Sequence, residues 1–322
     1  MAITDEQAAW FCDSFTKLVA NVEQAIVGKT ETVRLALACL LTEGHLLLED
    51  VPGTGKTMLA KAISNTVQGT HSRIQFTPDL LPSDVVGGSI YNQRTGDFEV
   101  RRGPVFATIL LADEINRASP KTQSALLEVM EEGQVTLDGV THPVGPPFMV
   151  IATQNPIEQA GTYRLPEAQL DRFLMRTSLG YPDEASTVLL LADSAHRNRS
   201  ESVGPLITGQ AVVDMSRLAA NVHVDPAILA YTSQIVDATR RAQGVMLGVS
   251  IRGAMAYIRV AKTWAASVGR TFVLPDDIKE LAMPVLAHRI ILDPEAEFTG
   301  ATVAGVINQV LQQVEPPTKS AA

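Results

Sequence analysis

Apolar positions fall into two regimes along the chain. Up to about residue 185, short apolar runs alternate with stretches of helical period. The runs are "HLLLE" (45–49), "RIQF" (73–76), "TILLA" (108–112), "FMVIAT" (148–153) and "LMRTSL" (174–179); the clearest helical stretches are 57–67 and "PKTQSALLEVMEE" (120–132). That alternation predicts strands of a parallel sheet layered with helices. Beyond "LGYPDEAS" no strong strand run returns. One helix is capped by Asp225 and opened by Pro226, and it places Ile228, Leu229, Ile235 and Val236 on one face. A second runs from Ser250 to Gly269 with Ala254, Tyr257, Ile258, Ala261 and Trp264 as its stripe, and a third, "LPDDIKELAMPVLAHRI", is expected to kink at Pro284. "HRNRSESVGPLITGQ" reads as a linker, which divides the chain into an α/β domain, 1–190, and a helical domain, 191–322. No internal repeat appears, and "EPPTKSAA" is expected to fray.

Composition narrows the function classes. With 46% apolar and 19% charged residues in 322, the chain has the makeup of a soluble globular protein with ample core. A net charge of −9 argues against a broad basic face for nucleic acid. Cys12 and Cys39 cannot build a disulfide framework, which fits a reducing, cytoplasmic setting. No apolar run approaches the ~20 residues of a membrane span. "MAITDEQAAWFCDSF" lacks a basic leader and reads as part of the fold. The histidines show no zinc-like spacing, and no GxSxG or Cys-His grouping occurs. Arg94, Arg101 and Arg102 cluster as a solvated hairpin or a partner contact.

One stretch carries chemistry outright. "LLLEDVPGTGKTML" (46–59) is an apolar run breaking into a glycine loop that leads into a helix. Successive N–H groups in such a turn form an anion nest, and the following helix adds the positive end of its dipole. Lys56 supplies a point charge for outer phosphates, and the Thr57 hydroxyl suits a magnesium ion. The strict GxxxxGK[ST] pattern wants glycine where Asp50 stands, so that carboxylate must turn away from a bound anion. The alternative is an ordinary strand-to-helix turn.

A second stretch supports the first. "TILLADEIN" is an apolar run ending in Asp113 and Glu114, with Asp113 57 residues beyond Lys56. In nucleotide hydrolases the first acid of such a pair holds magnesium and the second orients and deprotonates the attacking water. Alone, the pair could equally cap a helix.

These residues resemble the AAA+ ATPases, and more closely the MoxR family. The resemblance rests on "LLEDVPGTGKT", "LADEINRASPKTQSALLEVMEE", "MVIATQNPIEQAGTYRLPEAQLDRFLMR" and the helical last third, and it covers nearly the whole chain. "TPDLLPSDVVGGSIYNQRTGDFEVRRGPVFA" resembles the insert of the helix-2-insert group, and MoxR members tolerate an acid at Asp50. The resemblance implies an α/β P-loop NTPase core with a parallel sheet and a C-terminal all-helical lid. It implies that Pro52, Gly53, Thr54, Gly55, Lys56, Thr57 and Met58 bind nucleotide (Walker A), and that Asp113 and Glu114 are the Walker B pair. Thr57 and Asp113 would hold Mg2+. Val27 and Gly28 would line the adenine, although a helix-to-turn transition explains them nearly as well. Asn155 resembles sensor 1, against a plain Asn-Pro turn. Arg172 resembles the arginine finger that reaches a neighbouring subunit, against a salt bridge to Asp171 or Glu167, with Arg176 as runner-up. Arg252 resembles sensor 2, where its charge at a helix start makes sense facing an anion; Ile251 stands where the family has proline.

The resemblance thus implies Mg-dependent ATP hydrolysis in a hexameric ring. ATP would lie between core and lid, whose angle hydrolysis could change. It also implies chaperone-like remodelling of protein clients, with a partner carrying a von Willebrand factor A domain. Two other classes compete. A nucleic-acid motor or transcriptional regulator is opposed by the acidic charge, and a switch with negligible turnover by Glu114, Asn155 and Arg172.

Overall fold

The structure, a computed structural model, describes residues 2–51, 53–94, 96–155, 163, 165–192 and 199–317. Pro52 therefore lies outside the described residues. Helices α1 (Asp5–Glu23) and α2 (Thr30–Leu41) lead into β1 (Leu46–Glu49), α3 (Lys56–Thr66), β2 (His71–Gln75) and α4 (Pro82–Val86). A hairpin of β3 (Gly87–Asn92) and β4 (Asp97–Arg102) precedes β5 (Ile109–Asp113) and α5 (Pro120–Glu132). A second hairpin, β6 (Gln134–Leu137) and β7 (Val140–Pro143), precedes β8 (Met149–Gln154), α6 (Glu167–Leu170), β9 (Met175–Thr177) and α7 (Glu184–Ala192). The helical part comprises α8 (Gly209–Ala220), α9 (Pro226–Arg241), β10 (Val245–Leu247), α10 (Ile251–Ser267), α11 (Pro275–Leu286), β11 (Ile291–Leu292), α12 (Pro294–Phe298) and α13 (Val303–Gln313).

Five strands pair in parallel in the order β2-β5-β8-β1-β9. Each of the five predicted runs became one of them, shifted by a residue or two at the ends. The central strands read as continuous apolar runs because both faces are covered. Alternation sorts their side chains. Leu46, Leu48, Ile109, Leu111, Met149 and Ile151 pack with Leu59 and Ile63 of α3, whereas Leu47, Leu110, Ala112, Val150 and Ala152 pack with Leu126 and Leu127 of α5. The insert forms the antiparallel β3–β4 hairpin, with Arg101 and Arg102 exposed on it. The β6–β7 hairpin carries mostly exposed residues, so the apolar pattern gave no sign of it.

In the helical part the caps fall where expected: Asp225 accepts from Ala227 N, and Ser250 from Gly253 N. Tyr257, Ala261 and Trp264 are buried along α10, and α11 continues through Pro284 to Leu286. Two expectations need correction. Leu229 is 46% exposed, because it lies one residue, and so about 100° of helix turn, from buried Ile228. The helical part also holds a short antiparallel ladder, Val245↔Leu292 and Leu247↔Ile291.

The buried apolar cluster on the α3 face of the sheet runs on without a break into the helical part. Helix α1 joins them through Phe11, Phe15, Leu18 and Val22. The Arg34 guanidinium of α2 lies 5.6 Å from the Phe15 ring centre and 4.9 Å from that of Trp264. Cation–π contacts of this kind tie three helices together.

His45, at the foot of β1, is buried. Its Nδ1 accepts from Val150 N at 3.0 Å, so the proton sits on Nε2, which donates to Met130 O at 2.9 Å. Burial pushes its pKa down to about 4. The unfolded chain takes up this proton near pH 6.5, so stability is full above that value and falls as pH drops toward 4. His45 alone accounts for up to about 3 kcal/mol of that loss. Denaturant melts at pH 7.5, 5.5 and 4.5 are expected to show a smaller drop in a His45→Gln variant, whose side chain cannot be protonated; equal drops would count against this assignment.

Candidate active site

Because the sheet is parallel, the C-terminal ends of β1, β5 and β8 open on one edge, where the candidate residues gather. Gly53 and Gly55 have φ of 84° and 96°, and among the described residues, its chain neighbours apart, none comes within 4 Å of where a Cβ on Gly53 would sit. The loop is thus an open cradle of main chain ending at the first turn of α3. Lys56 Nζ folds over it and donates to Val51 O at 3.0 Å and Asp50 O at 3.3 Å. Thr57, next along α3, is half-buried at the same turn. Thr54 donates to Val51 O, and Met58 packs its side chain toward the apolar core.

Asp50 resolves the departure from consensus. Its carboxylate points away from the cradle and accepts from Leu179 N at 2.5 Å and Gly180 N at 3.1 Å. Its own N–H donates to Gln154 O at 3.1 Å, tying the loop to the end of β8.

On β5, Asp113 accepts from the Thr153 hydroxyl at 2.7 Å and from Arg73 at 2.7 Å. Glu114 stands in the left-handed region (φ 57°, ψ 49°), a conformation that costs a non-glycine residue about 1–3 kcal/mol. Three bonds hold it there. Its N–H donates to Thr153 Oγ1 at 2.9 Å, and its carboxylate accepts from Gln75 at 2.6 Å and Arg117 at 2.9 Å. Gln75, Thr153 and Arg73 were missed by sequence reasoning; their one signal was position at strand ends beside the acid pair. Asn155 directly follows β8, between the strands that carry the loop and the acids.

Val27 and Gly28 belong to a turn against the other flank of the loop. The Ile26 Cδ1 is 4.0 Å from where a Cβ on Gly55 would sit, and Lys29 donates to Tyr181 O at 2.7 Å. Gly28 has φ 72°, and a Cβ there would collide with Ser186 Oγ at the start of α7. The close approach demands glycine.

The two remaining arginines lie elsewhere. His45 bonds Met130 near the end of α5, and Leu174 N donates to His45 O at 2.8 Å, so this region is the N-terminal end of the sheet. There Arg172 pairs with Glu131 at 2.9 Å, and Arg252 pairs with the other oxygen of the same carboxylate. From Ser119, beside the acids, to Glu131 the helix covers about 18 Å. Arg252 is therefore not brought to the Lys56 loop of its own chain, and Arg172 pairs with neither Asp171 nor Glu167. Asp171 instead accepts from Arg289 Nε at 2.7 Å and from Ser250, the α10 cap, at 2.8 Å. Arg289 is almost fully buried and also donates to Phe173 O at 2.6 Å, which fixes Arg172 and Arg252 side by side. Arg176, on β9, pairs with Glu49.

The cradle, Lys56, Thr57 and Asp113 fit a triphosphate with its magnesium: main-chain donors at a helix start, one ammonium, one hydroxyl and one carboxylate. A profile described as "ATPase family associated with various cellular activities (AAA)" matches residues 45–175, and one described as "AAA lid domain" matches 237–310. The chain is 48% identical to the YeaC protein of Bacillus subtilis, covering 95% of this chain and 96% of that one. It is 41% identical to Chaperone MoxR1 of Mycobacterium tuberculosis, over 95% and 83%. Protein MoxR of Paracoccus denitrificans is 32% identical, over 88% and 90%. A solved structure of a candidate ATPase from Cytophaga hutchinsonii superposes with a TM-score of 0.90 at 40% identity, covering 97% and 98% of the two chains. Such identities, sustained from the glycine loop through the lid helices, place this chain in the MoxR family of AAA+ ATPases.

Proposed function

We propose that the protein hydrolyses ATP with Mg2+ and uses the cycle to remodel or activate partner proteins in the cytoplasm. The observation that carries this reading is Glu114, held in a strained backbone by three hydrogen bonds at the strand edge that also bears the Lys56 cradle. The N–H groups of Gly53 to Thr57 and the Lys56 ammonium bind the phosphates, while Val27 and Gly28 bound the base. Thr57 and Asp113 would hold Mg2+, which would supply neutralising charge to the phosphates. Glu114 accepts the proton of the attacking water, and Asn155 orients that water. Arginine supplied to the transferring phosphoryl group accelerates such reactions strongly.

Arg172 and Arg252 sit at the opposite end of their own sheet, so they serve the site of a neighbouring copy. A closed ring, proposed as a hexamer, satisfies every site alike. The name of Chaperone MoxR1 supports a chaperone-like role, and a partner with a von Willebrand factor A domain is part of the proposal. Among the described residues no helix is long and apolar enough to cross a membrane.

The test mixes subunits. Lys56→Ala/Arg172→Ala protein titrated into the parent at constant total concentration should depress ATPase activity more steeply than its fraction, because each inert subunit lacks its own cradle lysine and also deprives a neighbour of its arginine. A linear decline would show independent subunits and remove the ring.

A further inference from the structure

Glu131 is half-exposed on the last turn of α5 and is paired with two guanidiniums that come from different parts of the chain. Around them lies a cavity of about 460 Å³ lined by Glu43, Glu131, Arg172, Arg252, Arg259 and Arg289 among others. The charges in it have distinct duties. Arg289 is spent on Asp171 and the main chain of 171–174, and Arg259 donates to Thr42 O. Arg172 and Arg252 share the single carboxylate of Glu131, and the buried Nε–H of Arg172 has no acceptor among the described residues. An unspent donor on a buried guanidinium edge is a cost that an incoming anion would relieve.

We propose that the Arg172–Arg252 pair is an anion site for phosphoryl oxygens and that Glu131 is its resident placeholder, displaced when a neighbouring copy's triphosphate arrives. This deepens the proposed function and rests on its reading that the arginines act on a neighbour. A carboxylate and a phosphoryl group offer the same pair of oxygens to a guanidinium fork, so one can substitute for the other without moving the arginines. Asp171, bonded to Ser250 and Arg289, keeps the two arginines in register while Glu131 swings out. The lone protomer thus avoids two adjacent uncompensated positive charges. Engaging a neighbour requires breaking the Glu131 pairs, which sets a threshold on assembly with nucleotide. Because these side chains are 29–47% exposed, the threshold is modest and falls with salt.

The experiment measures ATPase turnover per subunit against protein concentration for the parent and for Glu131→Gln. The amide keeps the shape and one acceptor but removes the charge. It is expected to lower the concentration of half-maximal turnover about three- to tenfold, with the shift shrinking at high salt. Alongside it, Arg172→Ala subunits, which have an intact cradle, are mixed with Lys56→Ala subunits, which have intact arginines. Recovered activity in that mixture supports action across the interface. Recovery together with an unchanged or raised midpoint for Glu131→Gln overturns the placeholder and leaves the neighbour reading standing. No recovery removes both. Should Glu131→Gln prove unfolded by circular dichroism where the parent is folded, Glu131 is a structural counter-ion and the placeholder is overturned.

Discussion

Glu114→Gln is expected to bind ATP as the parent does and to hydrolyse it at least about 100-fold more slowly, the scale of losing a positioned general base. The amide is nearly isosteric. It can still accept from Gln75 and Arg117 through its oxygen, and the main-chain bond to Thr153 is untouched, so the left-handed turn survives. The glycine loop follows a different strand, β1 rather than β5, and none of the three bonds to Glu114 comes from it. Calorimetric titration with ATP and magnesium should therefore give an unchanged affinity while phosphate release nearly stops. Turnover within a few-fold of the parent would remove Glu114 from its role as base, and weakened binding would mean that it supports the cradle instead.

The second large effect is on stability and runs against consensus. Asp50→Gly restores the glycine of the GxxxxGK[ST] pattern, and it is expected to destabilise the protein by about 3–5 kcal/mol. Two main-chain donors, Leu179 N and Gly180 N, lose a charged acceptor in a place where Asp50 itself is 5% exposed. Leaving buried donors unsatisfied costs their full desolvation. The substitution also adds chain entropy to the unfolded state. Scanning calorimetry should show a melting temperature about 5 °C or more below the parent. Asp50→Asn, which keeps an acceptor oxygen without the charge, should fall between. An Asp50→Gly protein as stable as the parent would show that the carboxylate is dispensable there.

How far these features could be read from the sequence depended on whether their cause was local. Strand and helix positions follow from apolar runs, periodicity and caps, and the five strands, the Asp225 cap and the Ser250 cap all emerged where those signals lie. The glycine loop is likewise local chemistry. The partner of Asp50 is not, since Leu179 lies 129 residues away. That the carboxylate must turn away follows from charge alone; where it turns depends on β1 and β9 being neighbours. The same holds for Arg252 and Glu131, 121 residues apart. Local pattern suggested that Arg252 faces an anion, and only the packing of α10 against the foot of the sheet shows beside which arginine it stands. Gln75 reaches Glu114 because β2 and β5 pair in register, Gln75↔Asp113.

The placement of α1 bears on how such a machine can move. This amphipathic helix lays Phe11 and Phe15 into apolar material shared by the sheet layer and the helical part, and Arg34 stacks across the seam. Swinging one half away from the other would wet those rings, at about 1.5–3 kcal/mol for each large side chain exposed. A protomer clamped in this way behaves as one stiff block. If copies assemble and hydrolyse ATP as proposed, the work would be delivered chiefly at the joints between blocks, as rotation of whole subunits against one another.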